Sequence, residues 1–129
     1  MLIEYKTFLF HSPPTTNRSR SFTVDIVMVY DAELFVILDK MTAPDYFNNK
    51  KLLSRENPFS ISIFSIEILP GKTYLPFKVP IESKKKLINC IIFSDLPLVK
   101  TRCIRKVLTG DVNKISIIFD ENGIKVVKI

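Results

Sequence analysis

The chain has 129 residues, of which 47% are apolar and 25% charged, with a net charge of +6. That length suits one domain spanning 1–129, and the apolar fraction is enough to fill a core. No run of about 18 apolar residues is present, which excludes a membrane-spanning helix from the sequence pattern.

Residues 2–10 (LIEYKTFLF) read as a strand, with Ile3, Tyr5 and Leu9 on one face and Phe8 and Phe10 on the other. The next stretch, 11–21 (HSPPTTNRSRS), has no apolar residue except its two prolines and reads as a loop too long for a tight hairpin. Residues 22–30 (FTVDIVMVY) alternate: Phe22, Val24, Ile26, Met28 and Tyr30 share one face, with Thr23 and Asp25 opposite. Asp31 is placed to cap a short helix over 32–40, in which Leu34, Phe35 and Leu38 share a side. Pro44 suits the first turn of a second helix near 45–53, pinned by Tyr46, Phe47 and Leu53.

Strand chemistry returns at 59–69, followed by a Pro70-Gly71 turn. A strand over 73–79 holds Pro76, which assigns it to an edge or a bulge. Further strands are expected at 86–94, 101–108, 113–119 and 124–129, the last two joined through Asn122-Gly123. About eight strands with short links and a helical insert predict an all-β, two-sheet sandwich.

The residues offer little catalytic chemistry. His11 opens the polar loop with no second ligand type near it, so it reads as an exposed loop histidine and not a metal ligand. The carboxylates are dispersed, and no phosphate-cradling glycine loop or nucleophile motif is present. The reading is a binding protein, not an enzyme, with no cofactor and no metal. The basic residues are scattered apart from Lys84-Lys85-Lys86 and the group Lys100, Arg102, Arg105 and Lys106, which argues for a solvated surface and against nucleic acid. A carrier or carbohydrate-binding sandwich is the rival reading, although Phe22, Met28 and Tyr30 suit a core better than a pocket. Cys90 and Cys103 fall on consecutive strands around Pro97. A hairpin folding near 95–98 would let them face each other as a disulfide; buried thiols are the other reading.

The segment 7–38 (TFLFHSPPTTNRSRSFTVDIVMVYDAELFVIL) resembles the TssJ family, the outer-membrane lipoproteins of type VI secretion systems. The shared order is a first strand, a loop of prolines and small polar residues, a strand of the form seen from Ser21 to Tyr30, and a helix containing Phe35. Tyr46-Phe47, Ile66-x-Ile68-Leu69-Pro70-Gly71, the apolar strand 89–93, the basic stretch from Arg102 to Arg105, and the closing Asn122-Gly123 hairpin continue the likeness along nearly the whole chain. The abundance of Ile, Lys, Phe and Asn suits a divergent member of the pathogenicity-island kind. Two features depart from the family: Cys103 stands about where a Trp is common, and the lipid-bearing Cys is absent.

The resemblance implies a transthyretin-like sandwich on the periplasmic face of the outer membrane, with its lipidated Cys upstream of Met1. It implies binding to the periplasmic C-terminal domain of TssM, the inner-membrane protein. Carried over by position, the loop tied to that partner comprises Ser12, Pro13, Pro14, Thr15, Thr16, Asn17, Arg18, Ser19 and Arg20.

Overall fold

The computed structural model describes residues 4–16, 20–72, 74, 76–81, 86–95, 105–108, 114–120 and 123–128. In chain order the elements are β1 (Glu4–His11), β2 (Phe22–Val29), α1 (Ala32–Asp39), α2 (Ala43–Glu56), β3 (Ile61–Ile68), β4 (Phe77–Ile81), β5 (Asn89–Ser94), β6 (Arg105–Leu108), β7 (Lys114–Asp120) and β8 (Gly123–Lys128). The strands form two four-stranded sheets, ordered β4-β1-β7-β8 and β3-β2-β5-β6. Every neighbouring pair is antiparallel except β1 and β7, which run parallel. The expected all-β sandwich with a helical insert is the architecture found.

The two faces of β2 explain the layering. Successive side chains on a strand point to opposite faces. Phe22 meets Phe119 of β7 edge-on at 5.3 Å between ring centroids, so the even positions of β2 face the first sheet. Asp25 bonds to Tyr46 of α2, so the odd positions face the helices. Residues 24–29 are all buried, because one face lies under a sheet and the other under helices. A strand covered on both sides is normally apolar throughout. The one polar side chain in that stretch, Asp25, therefore has to be satisfied by partners.

Between the sheets, aromatic rings form a continuous column. Phe8 stacks on Phe10 at 6.2 Å, Phe10 stacks on Phe119 at 6.2 Å, and Phe119 meets Phe22. Burying each such ring stabilises the fold by about 1.5–3 kcal/mol. Phe22 and Met28 are thus core residues packed against neighbours, not the wall of a pocket.

Local chemistry sets the helix starts. The Asp31 carboxylate accepts the N–H groups of Glu33 at 2.8 Å and Leu34 at 3.2 Å, two donors that would otherwise lack partners in the first turn of α1. Thr42 does the same for Asp45 at 3.2 Å, so α2 begins at Ala43 with Pro44 inside its first turn. The helix expected near 45–53 is therefore longer at both ends, stopping at Asn57, whose side-chain amide donates to the Leu53 carbonyl.

The fourth strand also moves from its expected place. It lies at Phe77–Ile81, not 73–79, with Pro76 just before it and Pro80 within it. Pairing with β1 (Phe8 opposite Phe77, Glu4 opposite Ile81) decides the position. Pro80, which has no N–H to give, is tolerated because β4 is a sheet edge. The strand expected over 86–94 begins only at Asn89.

Candidate partner-binding surface

The polar loop after β1 is pinned at two points. Ser12 and Thr16 are both almost completely buried. The Thr16 N–H closes a turn on the Pro13 carbonyl at 3.1 Å, and its hydroxyl donates to the Phe119 carbonyl at 3.4 Å. The Ser12 carbonyl accepts the N–H of Gly71 at 2.7 Å, which ties the loop to the turn after β3. The Ser12 hydroxyl is buried with no hydrogen-bond partner among the described residues.

That tie explains why residue 71 is glycine. Its φ is +81°, and a Cβ added there would stand 3.2 Å from Pro14 Cγ. A side chain at 71 would meet both backbone strain and Pro14. The Pro13-Pro14 turn and the Pro70-Gly71 turn therefore sit against each other at one end of the sandwich.

The nine expected partner-binding residues thus divide. Ser12 and Thr16 serve as buried anchors, Pro13 is half-buried, and Pro14, Thr15 and Arg20 are exposed. Asn17, Arg18 and Ser19 lie outside the described residues. Beside this loop lies a second segment, which the sequence reading had divided among the end of the 59–69 strand, the Pro70-Gly71 turn and the start of the 73–79 strand. Leu69 is half-exposed, and the Tyr74 hydroxyl holds its N–H while donating to the Glu67 carbonyl at 3.4 Å. The Lys72 ammonium lies 5.4 Å from the centre of the Tyr74 ring. A surface of prolines, one aliphatic side chain, a tyrosine and two cations suits protein recognition better than any bond-making chemistry.

A second polar cluster lies under α2. Asp25, with no exposed surface, accepts the Tyr46 hydroxyl at 2.6 Å, the Ser65 hydroxyl at 2.7 Å and the Lys50 ammonium at 2.8 Å. Lys50 also donates to Ser65 at 3.0 Å. Burial, with Asp25 beside it, pushes the Tyr46 phenol well above its ordinary range, so it stays a proton donor. Every oxygen of the carboxylate has a donor, and the Tyr46 ring stacks on Phe93 at 4.2 Å. The arrangement latches α2 to the sheet. The sequence reading had placed Asp25 only on the polar side of β2.

Cys90 is a buried free thiol. Its partner across the β5–β6 pair is Leu108, so the strands meet in a register other than the one that would bring Cys103 opposite Cys90. Cys103 itself lies outside the described residues. Burial pushes the Cys90 thiol up to about 12, against a smaller opposing pull from Lys6. An unfolded thiol ionises near its ordinary 9.0, so between those two values ionisation favours the unfolded chain and the fold loses stability as pH rises. In native protein at pH 8, Cys90 should resist iodoacetamide, and peptide mapping should show it alkylated only after denaturation. Rapid labelling in the native state would contradict the burial.

Among the described residues no group of three or more His, Cys, Asp or Glu side chains is placed to hold a metal ion, and no helix is long and apolar enough to cross a membrane.

No protein-family model matches the sequence, and no curated protein matches it. Solved structures do match in shape. Lip from Serratia marcescens, a membrane-bound component of the type VI secretion system, superposes with a TM-score of 0.71 at 11% identity, over 96% of this chain and 97% of that one. The type VI secretion lipoprotein TssJ1 from Pseudomonas aeruginosa gives 0.70 at 11% identity, over 99% and 98%. This chain has the TssJ fold. A chain in the structure of the TssM C-terminal domain from EAEC matches at 0.72 and 14% identity, over 98% of this chain and 100% of that one. The TssJ fold thus spans this chain from end to end, helical insert included, as the order of motifs in the sequence implied.

Proposed function

We propose that this chain is the lipoprotein subunit of a type VI secretion membrane complex. It acts as a scaffold and not as an enzyme, anchored by lipid to the outer membrane and facing the periplasm. Its partner is the periplasmic C-terminal domain of a TssM-type inner-membrane protein. The observation that carries this reading is the end-to-end superposition on Lip and TssJ1, with neither chain leaving a sizeable part uncovered. The motif order along the sequence supports it independently of shape.

Contact with the partner is assigned to the end of the sandwich where the 12–20 loop meets the Pro70-Gly71 turn. The two prolines and the Ser12 and Thr16 anchors hold residues 12–16 in advance, which lowers the cost of ordering them on binding. Arg20 offers charge-assisted hydrogen bonds to partner carboxylates or carbonyls.

The test uses surface changes that spare the anchors. Replacing 15–20 wholesale by a Gly-Ser linker would also remove the Thr16 bond to Phe119 and confuse folding with binding. The double change Thr15→Glu with Arg20→Glu leaves the anchors intact. In calorimetric titration against the periplasmic domain of the TssM-type protein from the same genome, it should weaken binding by about 30-fold or more, the effect of losing a hot-spot arginine. The melting temperature, measured alongside, separates a loss of folding from a loss of binding. Equal affinity for both proteins would remove the loop from the interface. Absence of binding by the parent chain, or failure of the natively expressed gene product to incorporate palmitate, would overturn the lipoprotein reading itself.

A further inference from the structure

The turn between α2 and β3 presents the most exposed large apolar side chain among the described residues: Phe59 is 77% exposed. The backbone around it is closed on itself. The Asn57 N–H donates to the Leu53 carbonyl at 3.1 Å, and the Ser60 N–H donates to the Asn57 carbonyl at 3.2 Å. Pro58 has no N–H to satisfy. The Ser60 carbonyl accepts the Tyr30 N–H at 2.9 Å, and the Asn57 side-chain amide donates to the Leu53 carbonyl at 3.0 Å. With the donors of 57 and 60 paired and none at 58, this turn can leave water at little cost in stranded N–H groups.

Its place in the fold is set by the strands. The Ile88 N–H donates to the Val29 carbonyl at 2.8 Å, so Ser60 and Ile88 lie on either side of the end of β2, and Ile88 is 37% exposed. From Ile61, β3 runs roughly 25 Å to Ile68, just before the Pro70-Gly71 turn. β1 runs from Glu4 to His11, just before Ser12. The two strands end together, at the bond between Ser12 and Gly71, and strands of packed sheets stay nearly aligned. They therefore also begin together. β1 enters the sandwich at the Phe59 end and delivers the 12–20 loop to the other.

The surroundings narrow what this end contacts. Arg55 and Glu56 close α2, Glu33 opens α1, and Lys86 precedes Ile88, all four exposed. Those charges are balanced, so neither an acidic nor a basic partner is selected. Phe59 and Ile88 together offer apolar area on the order of 200 Å², far below the roughly 800 Å² a side of a stable protein interface. So small a contact matters only where something else already holds the two surfaces together. An apolar tip with paired backbone donors, a mixed-charge rim and a tether at the same end fits the interfacial layer of a bilayer.

We propose that the 57–60 turn docks on a phospholipid surface, with Phe59 entering the headgroup layer and Ile88 beside it. The proposal rests on the lipoprotein reading above, in which the acyl anchor precedes β1 and so holds this end of the sandwich at the membrane. The anchor supplies the affinity, and the turn supplies the orientation. A chain held only by an acylated terminus is free to swing. With Phe59 seated as well, the long axis of β1 points away from the bilayer, and the 12–20 loop and the Pro70-Gly71 turn face the periplasm.

The full chain is tested on vesicles of phosphatidylethanolamine and phosphatidylglycerol, held by an N-terminal histidine tag on a chelating lipid that stands in for the acyl anchor. The chain has no tryptophan, so Phe59→Trp supplies one reporter and Thr15→Trp a second at the far end. Lipids brominated in their acyl chains should quench the emission of Phe59→Trp and leave that of Thr15→Trp unchanged. When imidazole competes for the tag, the unaltered chain should leave the vesicles about tenfold or more slowly than Phe59→Ser, the effect of burying one aromatic ring. No quenching of Phe59→Trp, or equal quenching at both positions, overturns the proposal. So does equal release of the unaltered chain and of Phe59→Ser shown to be folded by circular dichroism. Should the tryptophan variants not fold, the release rates decide. An emission shift in Phe59→Trp that appears only when another protein is added identifies a protein pocket and also overturns the lipid assignment. Because the tag supplies the tether, these outcomes do not depend on palmitate incorporation, and the docking proposal and the lipoprotein reading fail separately.

Discussion

Truncating Tyr46 to alanine should lower stability by about 3–5 kcal/mol, the usual cost of removing a large buried ring. Three losses coincide at this residue. The ring has no exposed surface and stacks on Phe93, so its removal opens a cavity between α2 and the sheet. The hydroxyl that donates to Asp25 disappears. The Asp25 carboxylate is left with Lys50 and Ser65 alone, in a site where every missing donor is costly. Tyr46→Phe keeps the ring and removes only the donor, and should cost about 1.5–3 kcal/mol as a bond to a charged group. Chemical denaturation of the two variants separates ring from hydroxyl. In a double-mutant cycle, Tyr46→Phe and Asp25→Asn should be strongly non-additive, because both act on one bond. Additive losses would show that the Asp25 cluster does not work as a unit. Hydrogen exchange should find α2 the first region to open in Tyr46→Ala, since the latch is its main tie to the sheet.

Phe119→Ala should be equally damaging, by about 3–5 kcal/mol, and at the opposite face of β2. Phe119 stands between Phe10 and Phe22, and so joins the aromatic residues of the two sheets. Its backbone carbonyl also receives the Thr16 hydroxyl. A cavity beneath that carbonyl should loosen the Thr16 anchor, so on the proposed function the variant should lose affinity for the TssM-type domain as well as stability. Thermal unfolding gives the first effect, with a fall in midpoint on the order of 10 °C or more for a domain of this size. Calorimetric titration well below that midpoint gives the second. Full affinity in folded Phe119→Ala would mean the loop holds its shape without support from the core.

These two residues differ in how much of their role the chain order reveals. Phe119 was legible: it ends an alternating run with Ile115 and Ile117, and all three are buried. Tyr46 was legible as an apolar pin for a helix, but its bond to Asp25 was not. Twenty-one residues separate the two, and their meeting depends on where α2 lies across the sheet. The same holds for the end of the sandwich. Proline and polar content marked 11–21 as a loop, and Pro70-Gly71 as a turn. Nothing local indicates that the Gly71 N–H bonds to Ser12, or that Thr16 reaches Phe119 across 103 positions.

The amino-acid sequence by itself determined the kind of each element and most of their limits. Period-two alternation, Asp31 as a helix cap, and glycine or proline at the turns are local effects, acting over a few residues of backbone. It also determined the order of parts that matches the TssJ fold. Tertiary structure alone decided what those parts do to one another. Pairing with β1 set β4 at Phe77–Ile81 in place of the expected 73–79 and put Pro80 on an edge. The parallel pairing of β1 with β7, the register that sets Leu108 opposite Cys90, and the burial of Asp25 beneath α2 all arise from contacts between distant segments. Such contacts depend on which surfaces remain to be covered once the sheets have formed. No short stretch of residues carries that information.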